Sequence, residues 1–460
     1  MAFELNGKRV LVIGLARTGI ATALFCASRG AIVTATDRRP EAEFGETAER
    51  LRRAGMALEL GGHSQEILSG QELLIPSPGV PADAPILVSA RARGIAVWSE
   101  IELAYRFLKG RIIGITGSNG KTTTTSLTEH ILRQSGFSTM LAGNIGTPLI
   151  SCVDASDERS IIVTELSSFQ LELIESFRPY ISVFLNLTPD HLDRHGNMDA
   201  YGAAKARIFE NQTKADFAVL NADDPATVQH APKVPHVYWF SRKEEVLQGG
   251  YLCGGEIAFR RDGREEILLK RTDIPLPGAH NRENVLAAIC AARLAGAKPE
   301  AIASAIRSFA GVEHRLEFVA EHNGVRYYND SKATNVDATL KALDAFPGRI
   351  LIILGGKDKG SDYTVLQKPL REKAILALLI GAAADKIELQ IAGSVAIERA
   401  GTLERALEIA SHAAQSGDIV LLAPACASFD QFQDYEQRGR VFKELVKKVA
   451  GQAEGAALGK

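Results

Sequence analysis

No run of apolar residues in the 460-residue chain approaches the roughly 20 needed to cross a bilayer, so membrane insertion is not expected. The opening Met1-Ala-Phe-Glu-Leu-Asn-Gly-Lys-Arg9 has an acid early and then a short strand, where a secretion signal would have a basic and then an apolar region. Export is therefore not expected either. Cysteine is scarce: Cys26, Cys152, Cys253, Cys290 and Cys426 are odd in number and scattered, with no C-x-x-C pair. That fits neither a disulfide framework nor a zinc site and implies a reducing cytoplasm. An excess of either charge is also missing, since 53 Lys and Arg stand against 55 Asp and Glu. A net charge of -2 argues against nucleic acid as a partner and makes small molecules the expected one. There is no short repeat or low-complexity tract, apart from a small-residue tail after Val449 that is expected to fray.

What the chain has is enough apolar residue, 46%, for several cores and two to four domains, and repeated passages from strand to glycine loop to helix. The most informative is Thr116-Gly-Ser-Asn-Gly-Lys-Thr-Thr123, which follows the apolar run Arg111 to Ile115 and opens a helix-compatible segment. It reads as a phosphate-binding loop, and hence as an ATP site. Gly117, Ser118, Asn119 and Gly120 can turn backbone N–H groups toward a polyphosphate, Lys121 can reach the terminal phosphates, and Thr122, followed by Thr123, can ligate magnesium. The loop is a shortened variant, because Ile115 stands where the usual pattern has its first glycine. A chance glycine turn is the competing reading; the strand before and the helix after weigh against it.

The first block reads β-α-β: strand Val10 to Ile13, the turn Gly14-Leu15-Ala16-Arg17-Thr18-Gly19, a helix to about Ser28, and strand Ile32 to Thr36 ending at Asp37. Ala16 replaces the middle glycine of a dinucleotide fingerprint, and Arg38 follows the acid. A cofactor site, another nucleotide-like ligand and a structural turn all remain open. Ser77-Pro78-Gly79 follows Leu73 to Ile75, at a strand's carboxyl end, where open α/β sheets bind ligands. A second block carries the phosphate loop and the expected strands Ser160 to Thr164 and Ile181 to Leu187, in a mostly parallel sheet with an antiparallel addition near Tyr251 to Leu269. An alanine-rich helix then starts within Pro275 to Asn284. The third block has strands Arg349 to Leu354, Ile375 to Ile380 and Ile419 to Ala423, each ending in a small-residue loop, which suggests a second doubly wound sheet.

Magnesium needs hard ligands, and Thr122, Glu165 and His191 are the candidates in the second block. Glu165 has a competing reading as a solvated helix cap, and His191, between Asp190 and Asp193, one as a packed histidine. Asn329 to Asn335 and Arg315 gather donors and acceptors; Arg315 and Lys332 suit anionic oxygens, and Asp330 suits a ribose or an acceptor amine. A solvated loop is the competing reading.

Thr116 to Thr122, Gly143-Asn144-Ile-Gly146, Glu165-Leu-Ser-Ser-Phe-Gln170, Asn186-Leu-Thr-Pro-Asp-His-Leu-Asp-Arg194, His280-Asn-Arg-Glu-Asn284, Glu313-His-Arg315 and Asp330-Ser-Lys-Ala-Thr-Asn335 occur in the order of the Mur ligase family, which the chain resembles from end to end. The last run, Gly355-Gly-Lys-Asp-Lys359 and Pro424-Ala-Cys-Ala-Ser-Phe-Asp-Gln-Phe432 are similar to the branch that adds D-glutamate. The resemblance implies an α/β protein of three domains: a Rossmann-like domain for a uridine nucleotide (1–99), a central P-loop ATPase domain (100–311) and a Rossmann-like domain for the amino acid (312–460). It implies ATP, two magnesium ions (or manganese) and the substrates UDP-N-acetylmuramoyl-L-alanine and D-glutamate, handled by a cytoplasmic monomer through an acyl phosphate.

By the same resemblance, Lys121, His191, Lys205 and Lys332 are catalytic. Gly117 to Thr123 with Asn284, Arg315 and Asp330 hold ATP. Thr122 and Glu165 hold one metal ion, and His191 with Lys205 the second. Lys205 matches a lysine carbamylated in the family; its residue type alone suggests only an exposed helix lysine. Gly14 to Gly19, Asp37, Arg38, Ser77 to Gly79, Asn144 and His191 are implied for the uridine substrate, and Thr334, Lys359, Ser428, Phe429 and Tyr435 for D-glutamate. Other readings are a Mur ligase for another amino acid, a folylpolyglutamate synthase, a nucleotide-gated binding protein, or an NAD-dependent oxidoreductase built on Gly14 to Asp37. The missing middle glycine and the phosphate loop weigh against the last.

Overall fold

The computed structural model describes residues 3–64 and 66–457, without the side chains of Asp193 and of residues 449–457. Three sheets organise it. The first holds β1 (Arg9–Ile13), β2 (Ile32–Asp37), β3 (Ala57–Leu60), β4 (Leu73–Pro76) and β5 (Ala96–Val97), all parallel, in the order β3-β2-β1-β4-β5. After β3 the chain crosses to the other side of β1, so the strand order reverses between β1 and β4. A crevice at their carboxyl ends follows from that reversal. Val10 to Ile13 are wholly buried, as expected of a parallel strand covered on both faces.

The second sheet holds β6 (Arg111–Thr116), β7 (Thr139–Gly143), β8 (Ile161–Glu165), β9 (Ile181–Phe184), β10 (Phe217–Asn221), β11 (His236–Ser241), β12 (Gly249–Cys253), β13 (Glu256–Arg261) and β14 (Arg264–Lys270). Its order is β14-β13-β12-β11-β10-β9-β6-β8-β7, parallel except where β12, β13 and β14 pair antiparallel. β6 lies between β8 and β9, a second reversal point, which places the phosphate loop between the ends of those strands. The expected strand to Leu187 stops at Phe184. Beyond it, backbone groups turn to side chains: Leu185 O accepts Asn221 Nδ2 at 3.0 Å, and Leu187 N donates to Asp224 Oδ2 at 2.7 Å.

The third sheet holds β15 (Glu317–His322), β16 (Val325–Asn329), β17 (Ile350–Gly355), β18 (Ala374–Ile380), β19 (Ala396–Gly401) and β20 (Ile419–Leu422), in the order β15-β16-β20-β17-β18-β19. Only β15 runs antiparallel. The chain forms two compact units, Met1–Asp273 with Glu283–Phe309 and Ile274–Arg282 with Ala310–Lys460. The first two sheets lie in the first unit, and the helix Ala279–Ala295 contributes to both. The helix Tyr435–Ala457 runs on through the start of the small-residue tail, and residues 458–460 lie outside the described residues. Among the described residues no helix is long and apolar enough to cross a membrane.

Candidate active site

The candidate phosphate loop has the strand before it, the glycine turn and the helix after it that its residues predict. Gly120 adopts φ +84° and the helix Lys121–Gln134 starts directly after it. A Cβ on Gly120 would lie 2.2 Å from Asn284 Oδ1, and one on Gly117 would lie 2.9 Å from Leu185 Cβ, so both positions exclude larger residues. Asn284, implied for ATP, is thereby placed against the loop, and its Oδ1 accepts Thr124 Oγ1 at 3.3 Å. Lys121 Nζ donates to Gly117 O and Ser118 O, each at 2.9 Å, folding back over the loop. The part played by Asn186 becomes visible only in the fold. Its Oδ1 accepts the Asn119 N–H at 2.9 Å and its Nδ2 donates to Asn119 O at 3.1 Å, so the carboxyl end of β9 fixes the loop's tip.

Glu165 is buried at the end of β8 and is not the solvated cap of the competing reading. Ser167 caps the next helical turn, in a box with Gln170. Glu165 Oε2 accepts Thr122 Oγ1 at 2.8 Å and Oε1 accepts Asn144 Nδ2 at 2.8 Å. A hydroxyl and a carboxylate side by side at a phosphate loop fit a magnesium ion, which takes few protein ligands and completes its shell with phosphate and water. His191 is exposed, at φ +54°, and its ring meets Phe169 edge-on at 4.9 Å.

Lys205 overturns its residue-type reading: only 1% of it is exposed. Its Nζ donates to Gly117 O at 2.9 Å and lies 4.5 Å from the Tyr201 ring centroid. Burial, then the nearby Lys121 charge, hold its pKa well below that of an ordinary lysine, with Asp190 and Glu165 acting in the opposite sense. A neutral amine is the form that can add carbon dioxide. As an ammonium Lys205 does not suit a second metal ion; as a carbamate it would offer oxygens.

In the first sheet, Gly14 (φ +87°) ends β1, and the carbonyl of Gly14 accepts Ser77 Oγ at 2.7 Å. Gly19 is required by packing, since a Cβ there would fall 1.8 Å from that carbonyl. Asp37 is engaged on both oxygens: Leu15 N donates to Oδ2 at 2.7 Å and Arg39 N to Oδ1 at 2.9 Å, with the Arg39 guanidinium 3.1 Å from Oδ2. Burial pushes its pKa up, but the Arg39 and Leu15 hydrogen bonds outweigh it and hold it at about 2. Asp37 thus shapes the Gly14 to Gly19 turn. Ala16 precedes the helix Arg17–Ser28 with no side-chain cap, Thr18 O accepts Thr22 Oγ1 at 2.9 Å within that helix, and Arg38 is exposed. Pro78 and Gly79 form the turn closed by Val80 N to Ser77 O at 2.9 Å.

In the third sheet the loops after β16, β17 and β20 are laced together. Ala425 N donates to Ala333 O at 2.9 Å, Gly355 N to Pro424 O at 2.9 Å and Lys357 N to Ala427 O at 2.8 Å. Asp330, Lys332 and Thr334 thus lie with Ser428 at the carboxyl ends of the parallel strands, and Arg315 stands just before β15, whose first residue Glu317 pairs with Asn329 at the end of β16. Asp330 Oδ1 accepts the Leu316 N–H at 3.3 Å, and burial, offset in part by Arg315, pushes its carboxyl up to about 7. Lys332 Nζ sits 5.2 Å from the Tyr435 ring centroid. Lys359 is exposed, as is Phe429 at 65%, whereas Ser428 is buried. Residue-type reasoning missed Asp358, which accepts Lys386 Nζ at 2.7 Å, Tyr363 OH at 2.8 Å and Ser361 N at 3.1 Å and so fixes the loop bearing Lys359. It also missed Arg438, 1% exposed, whose guanidinium binds Ser331 O at 2.8 Å and Cys426 O at 3.3 Å. No local pattern marks a helix arginine as buried.

Comparison with known proteins matches three family descriptions: Mur ligase MurD-like N-terminal domain over residues 8–99, Mur ligase middle domain over 115–292, and Mur ligase glutamate ligase domain over 314–426. A protein from Koribacter versatilis named UDP-N-acetylmuramoylalanine--D-glutamate ligase is 53% identical, over 98% of this chain and 99% of its own. One of the same name from Acidobacterium capsulatum is 52% identical over 98% of each. Among solved structures, a MurF ligase from Thermotoga maritima in complex with ADP has a TM-score of 0.61 at 18% identity, covering 91% of this chain and 95% of its own. UDP-N-acetylmuramate-alanine ligase from Thermotoga maritima has a TM-score of 0.57 at 21% identity, covering 96% and 99%. At those identities the two structures speak to the fold alone.

Proposed function

The chain belongs to the Mur ligase family, and from that premise we propose that it is the ADP-forming ligase joining D-glutamate to UDP-N-acetylmuramoyl-L-alanine in peptidoglycan precursor synthesis. The observation that carries the reading is identity above half, over nearly the whole chain, to relatives named for that reaction. A carboxylate is a poor electrophile with a poor leaving group. Transfer of the γ-phosphoryl group of ATP to the L-alanyl carboxylate converts its oxygen into part of a phosphate. The amine of D-glutamate then attacks the acyl carbon, a tetrahedral intermediate forms, phosphate leaves and the amine gives up a proton. The product is an amide, with ADP and phosphate.

In this reading the backbone of Gly117 to Gly120 receives the polyphosphate and Lys121 leaves its loop carbonyls for the terminal phosphates. Thr122 and Glu165 would hold a magnesium ion, and His191 with a carbamate on Lys205 a second; bound magnesium supplies charge stabilisation for phosphoryl transfer. Asn284, Arg315, Asp330 and Lys332 serve the nucleotide and the transferring group. Gly14 to Gly19, Ser77 to Gly79, Arg38, Asn144 and His191 serve the uridine substrate, with Asp37 shaping the turn. Thr334, Lys359, Ser428, Phe429 and Tyr435 serve D-glutamate. The enzyme acts as a cytoplasmic monomer, and its product feeds cell-wall growth, and with it cell shape and division.

The test is phosphate release from ATP with UDP-N-acetylmuramoyl-L-alanine, comparing D-glutamate with L-glutamate, L-lysine, L-alanine and no acceptor, with the product mass checked. Turnover that requires D-glutamate is expected. Turnover with another acceptor would reassign the third-sheet pocket, and acceptor-independent hydrolysis would defeat the ligase reading.

A further inference from the structure

Arg194 closes the Asn186 to Arg194 run, yet none of the chemistry above uses it. Its side chain is only 14% exposed and reaches back to the first sheet. There Nη1 donates to Pro78 O at 3.0 Å and Nη2 to Val80 O at 3.2 Å. The 77–80 turn is therefore held from two sides, by Ser77 Oγ on Gly14 O at 2.7 Å and by this guanidinium. Glu172 Oε2 takes Nη2 at 2.8 Å, which aims the fork and balances its charge.

The other end of the arrangement lies among the metal-site strand ends. Arg194 Cζ stands 3.9 Å from the Phe169 ring centroid, a cation–π distance. That ring meets His191 edge-on at 4.9 Å and stacks on His195 at 5.6 Å. His195 Nε2 in turn lies 3.0 Å from Ser168 Oγ, and its Nδ1 lies 3.4 Å from Glu172 Oε1. Ser168 and Phe169 lie three and four residues after Glu165, and the Arg194 N–H donates to His191 O at 3.1 Å. One guanidinium thus bears at once on the turn after β4, the segment after Glu165 and the turn that presents His191.

From this juxtaposition we propose that Arg194 is a positioning residue. It holds the loop that receives the uridine diphosphate in register with the Glu165 and His191 strand ends, so that the substrate's remote half places its reacting carboxylate. The inference rests on the ligase reading above. A fixed relation between remote binding group and reacting centre is what converts binding energy into correct orientation, and a planar fork spanning two carbonyls is a task for arginine that lysine cannot perform.

The experiment compares steady-state kinetics of Arg194→Met, Arg194→Lys and Glu172→Gln with wild type for all three substrates, and adds calorimetric binding of UDP-N-acetylmuramoyl-L-alanine. Charged hydrogen bonds of this kind are worth about tenfold in an equilibrium. Arg194→Met is expected to raise KM and Kd for the uridine substrate by about tenfold, while KM for ATP and for D-glutamate stays within about twofold. Arg194→Lys, which keeps the charge over Phe169 but not the fork, recovers only part of the loss. A fall in kcat beside the raised constants for the uridine substrate is the lost orientation, whereas an unchanged Kd for that substrate, equal rises in all three KM values or a rise confined to KM for ATP would overturn the proposal. Should Arg194→Met fail to fold, Glu172→Gln decides: an unchanged KM for the uridine substrate refutes the positioning role. Wild-type enzyme inactive on that substrate would instead defeat the ligase reading, which keeps the two failures apart.

Discussion

Replacing Lys205 by methionine should stabilise the protein at neutral pH while abolishing turnover. Lys205 is 1% exposed, and its Nζ donates to Gly117 O at 2.9 Å. That carbonyl also accepts Lys121 Nζ at 2.9 Å, so removing Lys205 leaves no orphaned acceptor. A methionine matches the stem and keeps contact with the Tyr201 ring. Exchanging buried ionic groups for apolar side chains of similar volume is often neutral or a gain of about 1–4 kcal/mol, and Lys205→Met is expected on the gaining side.

The pH dependence separates this from a general packing effect. The folded pKa of Lys205 is lowered, chiefly by burial, from the ordinary 10.5. Between the two values the unfolded chain binds more protons than the folded one, so stability rises with pH across that window, at up to about 1.4 kcal/mol per pH unit. This contribution is complete above the unfolded value and is lost as pH falls toward the folded one. Urea denaturation in carbon-dioxide-free buffer, in steps of about one pH unit from about 6 to 9, should show wild type gaining on Lys205→Met as pH rises. Bicarbonate should raise wild-type turnover and leave the variant inactive. Parallel stability curves, or a wild type more stable than the variant at neutral pH, would refute the buried-amine argument. Turnover indifferent to carbon dioxide would refute the carbamate.

Gly120→Ala should cost about 1–2 kcal/mol for φ +84° alone and also displace Asn284, whose Oδ1 a Cβ would meet at 2.2 Å. A lowered thermal midpoint and a raised KM for ATP are expected, and unchanged ATP kinetics would count against the loop assignment. Asp330→Asn should flatten a stability slope: the folded pKa of Asp330 is raised to about 7 by burial, so its contribution is full below the unfolded value and is lost as pH rises through about 7. Denaturation near pH 5 and near pH 8 should therefore show wild type weakening relative to the variant by a few kcal/mol, at no more than about 1.4 kcal/mol per pH unit crossed. Asp358→Asn should loosen the loop that Lys386, Tyr363 and Ser361 fasten to it, raising KM for D-glutamate with little change in KM for ATP. Steady-state kinetics decide this, and equal changes in both constants would contradict it.

What was legible in the sequence, and what was not, divides by the range of the interactions involved. The phosphate loop was legible because its determinants are consecutive: glycines where φ is positive, a lysine at the helix start, and an apolar strand before. β1, β4, β6, β8 and β17 were legible because strands buried on both faces read as unbroken apolar runs. β19, with the burial-mixed sequence Ala396-Ile-Glu-Arg-Ala-Gly401, escaped notice because it is an edge strand and needs only one partner, β18. Lys205 is the sharper case. Its helix Met198–Ala206 carries small residues, and whether a lysine there meets water depends on a loop that is 88 positions away in sequence. Arg438 and Arg194 share that feature, since each guanidinium donates to backbone carbonyls of a distant loop, and carbonyls carry no residue identity to be read. Sequence patterns are blind in such a fold to long cations that bridge strand ends through main-chain atoms. Those cations matter because the strand ends they bridge are where the ligands of a doubly wound sheet must sit.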